Sequence, residues 1–212
     1  NDVIHGSNRA VTEIFRGSAG NDTLQGGSGT GTDLGLNYAD YRSGAGAVTV
    51  SLATGSASGA DGNDALSGMN GIISGNFNDA LTGDALDNYF DAGGGDDTLD
   101  GGAGWDALSY TNASGGVNVN MATGSASGAA DNDVFTGIEA VRGSEYADTL
   151  TGSAGGDDIQ GRAGNDSIDG GAGNDTLHGG YGDDSVDGGS GADSLQVSAA
   201  QSAYTVTLLD AA

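Results

Sequence analysis

Six aspartates stand nine residues apart in the second half of the chain: Asp148, Asp157, Asp166, Asp175, Asp184 and Asp193. Further acids in the same local setting are Asp22, Asp79, Asp97 and Asp106, with Asn88 in a fourth position of the middle group. Each lies in a glycine-rich stretch, so a carboxylate and a run of exposed backbone carbonyls recur together. That donor set is all oxygen. It suits a hard cation such as Ca²⁺, which takes about six to eight oxygen ligands from carboxylates and carbonyls. These ten aspartates are the candidate metal ligands. Asn88 offers a neutral oxygen without charge, so the ion beside it is expected to be weak or absent.

The elements that must position these acids follow from the same spacing. Two residues after each acid comes an apolar one: Leu150, Ile159, Ile168, Leu177, Val186 and Leu195. A polar–apolar–polar triplet makes a short strand with one side chain inward and two outward. The preceding residues must turn the chain, and glycine tolerates the φ values and close approaches this needs. Two units of nine make one coil, so each unit stacks on the next but one. Asp148, Asp166 and Asp184 then form one ladder, and Asp157, Asp175 and Asp193 another. Carboxylates about 6 Å apart repel by roughly 3 kcal/mol at an effective dielectric of about 20, and a cation between them reverses the sign. A flexible acidic linker has no reason to hold acids and apolar residues in this phase.

The six units over 143–196 (GSEYADTLT, GSAGGDDIQ, GRAGNDSID, GGAGNDTLH, GGYGDDSVD, GGSGADSLQ) follow the pattern G-G-x-G-x-D-x-U-x. This stretch resembles the RTX, or hemolysin-type calcium-binding, nonapeptide repeat. The resemblance implies an all-β fold, a right-handed parallel β-roll or β-helix solenoid with several calcium ions between stacked turns.

Composition points the same way. The chain has 43 glycines and no proline or cysteine, and its net charge is −25. Aspartate makes up 27 of the 30 acids, which favours a carboxylate held close to the turn over simple solubility. The charge disfavours nucleic acid and anionic lipid. Without cysteine there are no disulfides or thiolate metal sites. No apolar run is long enough to span a bilayer. No leader peptide is visible and the chain starts at Asn1, which leads to the expectation of an excerpt or a processed product.

In chain order, residues 1–34 read as a degenerate first array, with Asp22 and Leu24 in a full unit and an interrupted one from Gly26 to Asp33. Ile14 and Phe15 are expected in the core. Residues 35–73 form a β insert and 74–109 a second array. Residues 110–142 repeat the insert at an offset of 69, with Val48-Thr49-Val50 matching Val117-Asn118-Val119. The main array runs over 143–196, and 197–212 is a terminal β segment with a strand at Tyr204–Leu208. The whole is expected to be one continuous solenoid, the inserts being wider coils stacked on the rolls. Phe135–Val141 is the one plausible short helix.

No other chemistry stands out. His178 takes an outward ninth position, paired acids such as Asp157-Asp158 are the repeat acid plus a neighbour, and HExxH and phosphate-loop motifs are absent. Three of the four Asn-x-Ser/Thr matches are by-products of the repeat. Trp105 and Tyr181 read as exposed loop residues. The expected function is therefore non-enzymatic: a calcium-binding structural module of a secreted or cell-surface bacterial protein, such as an adhesin, surface layer or extracellular filament. The alternative is a non-catalytic C-terminal secretion or folding module of a secreted protease, lipase or epimerase. Expected partners are calcium and, end to end, a second copy or a longer solenoid.

Overall fold

Apolar residues spaced by nine become short parallel strands, stacked coil on coil, in the computed structural model. It describes residues 1–7, 12–27 and 36–196, together with the backbone of 204–207. The chain divides into two compact units, Asn1–Asp106 and Ala107–Ala212. No helix occurs among the described residues. The fold is all-β, a parallel β-roll.

In the first unit one sheet runs Val3–His5, Thr23–Gln25, Gly62–Ser67, Ser56–Gly59, Val48–Ser51, Ala80–Thr82, Thr98–Asp100. The facing sheet runs Glu13–Phe15, Asn37–Asp40, Gly71–Ile73, Tyr89–Asp91. Leu24 pairs with Leu66 and Val50 with Leu81, which pairs with Leu99. Across the core, Phe15 pairs with Ala39, Ala39 with Ile72 and Ile72 with Phe90. All of these residues are buried.

In the second unit the inward columns are Val119–Leu150–Ile168–Val186 and Leu108–Val141–Ile159–Leu177–Leu195. The coil of two nonapeptides expected from the spacing is therefore present: the partner of each apolar residue in the main array lies 18 positions away. Strand Tyr204–Thr207 pairs in parallel with Asp184–Asp187. The unit interrupted after Gly26 falls mostly on residues 28–35, outside the described residues, as does Leu208.

Three expectations need correction. Ile14 is 51% exposed while Phe15 is 3% exposed. Neighbouring residues of a strand point to opposite faces, and Phe15 is the one in register with the inward Ala39–Ile72 column. Phe135–Val141 is not helical, since a strand ends at Thr136 and another starts at Ala140.

The third correction concerns the inserts, which are not simple wider parallel coils. Val48–Ser51, Ser56–Gly59 and Gly62–Ser67 pair antiparallel in succession, and Val117–Asn120, Ser125–Gly128 and Asp131–Thr136 repeat the arrangement. A tight turn suffices for antiparallel neighbours, whereas parallel ones need a crossover. Gly55, at φ 64°, makes the first turn. In the first unit the last strand of this meander stacks on the preceding coil and its first strand on the following coil.

Candidate metal centre

Each acid of the repeat sits at the end of a turn, immediately before its strand or, at Asp184, as the strand's first residue. Its first task is to join coils. The backbone N–H of Asp148 donates to Asp166 Oδ1 at 2.9 Å, and that of Asp166 donates to Asp184 Oδ1 at 3.1 Å. Along the other ladder Asp157 donates to Asp175 at 2.9 Å and Asp175 to Asp193 at 3.1 Å. In the first unit Asp79 donates to Asp97 and Asn88 to Asp106, both at 2.7 Å.

Thus both expected ladders exist, and one carboxylate oxygen of each stacked acid is spent on structure. Asp22, Asp79, Asp97, Asp106, Asp148, Asp157, Asp166, Asp175 and Asp184 are all buried, and Asp193 is half-buried.

What differs is the second oxygen. At Asp148 and Asp157 it accepts the N–H of the residue four positions earlier, Ser144 at 2.7 Å and Ser153 at 2.6 Å. The serine hydroxyls add bonds to the other oxygen. At Asp79 the N–H of Gly75 does the same at 3.2 Å.

At Asp166, Asp175 and Asp184 the equivalent residues are Arg162, Gly171 and Gly180, whose φ values are 80°, 91° and 105°. The left-handed conformation turns the second residue of the unit out of that role, and Oδ2 of all three acids is buried with no hydrogen-bond partner.

A buried, unpartnered carboxylate oxygen costs on the order of a few kcal/mol unless something compensates it. Burial pushes the Asp166 carboxyl up to about 7, and the charges of Asp148 and Asp184 add to the effect. Asp175 is pushed up to about 6 by burial, with Asp157 and Asp193 contributing. The carboxyls of Asp79, Asp148 and Asp157 are also raised, chiefly by burial, and their N–H and hydroxyl donors work against the rise.

The first glycine of each unit leaves space beside the orphan oxygen. A Cβ on Gly170 would stand 2.6 Å from Asp175 Oδ2 and 2.6 Å from the carbonyl oxygen of Gly188 in the next coil. Carboxylate and carbonyl oxygens thus border one small space, the donor set of a hard cation. Among the described residues no three His, Cys, Asp or Glu side chains form a cluster able to hold a metal. An ion held here would have few carboxylates within reach and would draw on backbone carbonyls such as that of Gly188.

The family model of the RTX calcium-binding nonapeptide repeat matches residues 12–30, 73–109, 133–168, 142–177 and 160–195, together more than half of the chain. The chain belongs to the RTX repeat family. No curated protein matches it. As an RTX protein it is a calcium-binding module, and the unsatisfied oxygens of Asp166, Asp175 and Asp184 suit that ion. No helix among its described residues is long and apolar enough to cross a membrane.

Several residues of this RTX ladder are not evident from the nine-residue spacing. Asp64 accepts the N–H of Asp22 at 2.9 Å across 42 residues, so it is a ladder acid supplied by the insert. Asp133 is its counterpart at the offset of 69. The signal is the short string N-D-x-U in Asn63-Asp64-Ala65-Leu66 and Asn132-Asp133-Val134-Phe135.

The asparagine before the acid also has a use. Asn165 Oδ1 accepts the N–H of Asp183, and Asn174 Oδ1 that of Ala192, both at 2.9 Å. Asn21 and Asn78 do likewise for Asn63 and Asp96. These bonds run opposite to those of the aspartates.

Proposed function

We propose that the ladder acids Asp22, Asp79, Asp97, Asp106, Asp148, Asp157, Asp166, Asp175, Asp184 and Asp193 are the calcium ligands of this module, and that calcium binding drives its folding and rigidity. The observation carrying this reading is the buried Oδ2 atom left without a partner at Asp166, Asp175 and Asp184. The strongest sites are at these three. Asp79, Asp148 and Asp157, whose second oxygen already has a donor, bind more weakly.

The chain's net charge of −25 and its 43 glycines oppose folding without metal. Calcium that binds only the stacked coils stabilises them by RT ln(1 + [L]/Kd) per independent site. Such a module is a structural element of a secreted or cell-surface protein, where calcium is abundant and cysteine staples are absent. Its coils join end to end with a second copy or a longer solenoid.

Circular dichroism during a calcium titration tests the central claim. Strand signal is expected to appear cooperatively at about 0.1–10 mM, the range of extracellular calcium modules. Full strand signal in EGTA, unchanged by calcium, overturns it.

A further inference from the structure

Besides Asp79, Asp148 and Asp157, whose second oxygen accepts a backbone N–H, three further ladder positions have that place filled by a side-chain hydroxyl or amide. In the first insert Asp64 accepts the N–H of Asp22 on Oδ1 and the hydroxyl of Tyr41 on Oδ2, at 2.9 and 3.0 Å. In the second the hydroxyl of Tyr110 donates to Asp133 Oδ2 at 2.9 Å. Tyr41 and Tyr110 are 69 residues apart, as are Asp64 and Asp133, so the pair was copied with the insert. At Asn88 the side chain is its own donor: Oδ1 accepts the N–H of Asp84 at 2.6 Å and Nδ2 reaches Asp84 Oδ1 at 3.3 Å.

We infer that Tyr41 and Tyr110 take the place of calcium at the ladder acids of the two inserts, so that the inserts are metal-free clamps that hold coil register before calcium arrives. The inference rests on the calcium reading of the repeats. A phenol O–H supplies one donor to one carboxylate oxygen, which is what the buried Oδ2 of a ladder acid lacks in the open repeats. Burial, with the neighbouring Asp64 charge, holds the Tyr41 hydroxyl protonated throughout the physiological range.

Tyr41 and Tyr110 are themselves anchored, their N–H groups donating to the carbonyls of Ile73 and Arg142 at 2.7 and 2.8 Å. Each follows directly on a strand of one sheet and reaches an acid that lies within a strand of the other. One hydrogen bond therefore ties the two sheets of a unit together. Around it the antiparallel meander needs only local pairing, which carries a smaller loop-closure cost than stacking remote coils. A preformed insert presents its outer strand to the repeat beside it, Val117–Asn120 to Thr149–Thr151 in the second unit. Folding driven by calcium then extends from an existing edge.

Hydrogen exchange followed by mass spectrometry on the full chain, in EGTA and in calcium, tests this. In EGTA, peptides covering 48–67 and 117–136 should exchange about tenfold or more slowly than those covering 152–196, as expected for a separately folded local unit. Calcium should then protect 152–196.

The double variant Tyr41→Phe/Tyr110→Phe should lose the insert protection in EGTA. The double variant Asp64→Asn/Asp133→Asn should keep it, because the amide donates to the tyrosine oxygen, and it should bind as many calcium ions as the parent. Insert peptides that exchange in EGTA as fast as the repeats overturn the inference, and so does a fall in bound calcium in the Asn variant. A chain whose exchange is identical with and without calcium overturns the calcium reading itself, and this inference with it.

Discussion

The N–H of Ser144 lies 2.7 Å from Asp148 Oδ2, whereas Arg162, at the same place in its unit, leaves Asp166 Oδ2 without a partner. The backbone conformation of one residue, four positions before the acid, separates the two cases. Asp166→Asn and Asp175→Asn should raise the calcium midpoint by about tenfold, roughly 1.4 kcal/mol each. Asp148→Asn should raise it less, and Asp187→Asn, at an outward ninth position, least. Calcium titrations of the four variants give the order, and equal midpoints would show that total charge rather than the turn decides.

Arg162 is one of two non-glycine residues with positive φ among those described. A left-handed conformation costs a residue with a Cβ roughly 1–2 kcal/mol. The exposed ion pair of Arg162 with Glu145, at 2.6 Å, returns at most about 1 kcal/mol. Arg162→Gly should therefore leave the calcium midpoint unchanged or lower it, by no more than about tenfold. Arg162→Val should raise it, since a β-branched residue is poorly tolerated there.

Gly170 tests the cavity itself. In Gly170→Ala the methyl group meets Asp175 Oδ2 and the Gly188 carbonyl at 2.6 Å. Calcium bound per chain should fall, and the protection of Ser167–Asp169 and Asp184–Asp187 should fall with it. A variant with the parent's stoichiometry would place the ion elsewhere.

The raised carboxyls fix the direction of the pH effect. Asp166 and Asp175 titrate at about 7 and 6 in the fold, against about 3.9 in an unfolded chain. The folded state therefore binds more protons, and the stability they contribute is fully present below about pH 4 and lost as pH rises through 6 to 7. In EGTA, strand signal should grow as pH falls from 8 to 4. In calcium the order reverses, because protons and the ion compete for the same oxygens, and the midpoint should rise as pH falls below about 7. A metal-free signal that is flat with pH would contradict the burial of these groups.

Much of this was legible in the spacing. Asp166 and Ile168 announce a turn, a strand and a stacked partner 18 residues on, because a strict period leaves one register. The inserts were legible only as alternating strands. Val48 and Val50 gave the buried face, but a pattern of period two is the same for parallel and antiparallel pairing. Asp64 was hidden because 42 residues, rather than 18, separate it from Asp22. Asn165 and Asn174 read only as by-products of the repeat, since their hydrogen bonds involve the backbone of another coil and leave no mark in the local string. The distinction between Asp148 and Asp166 depends on φ of the second residue. Ser against Gly hints at it, but Arg162 hides it.

Where asparagine precedes the acid, as at Asn165-Asp166, the opposed bonds of the two side chains give the coil two unlike faces. Toward the chain start it shows a carboxylate acceptor and the N–H of the residue before it. Toward the chain end it shows an asparagine oxygen and the N–H of the acid. In the stack each acceptor of one face meets a donor of the other. Copies that met through this same pairing, start face on end face, would form an open, head-to-tail series rather than a closed twofold pair.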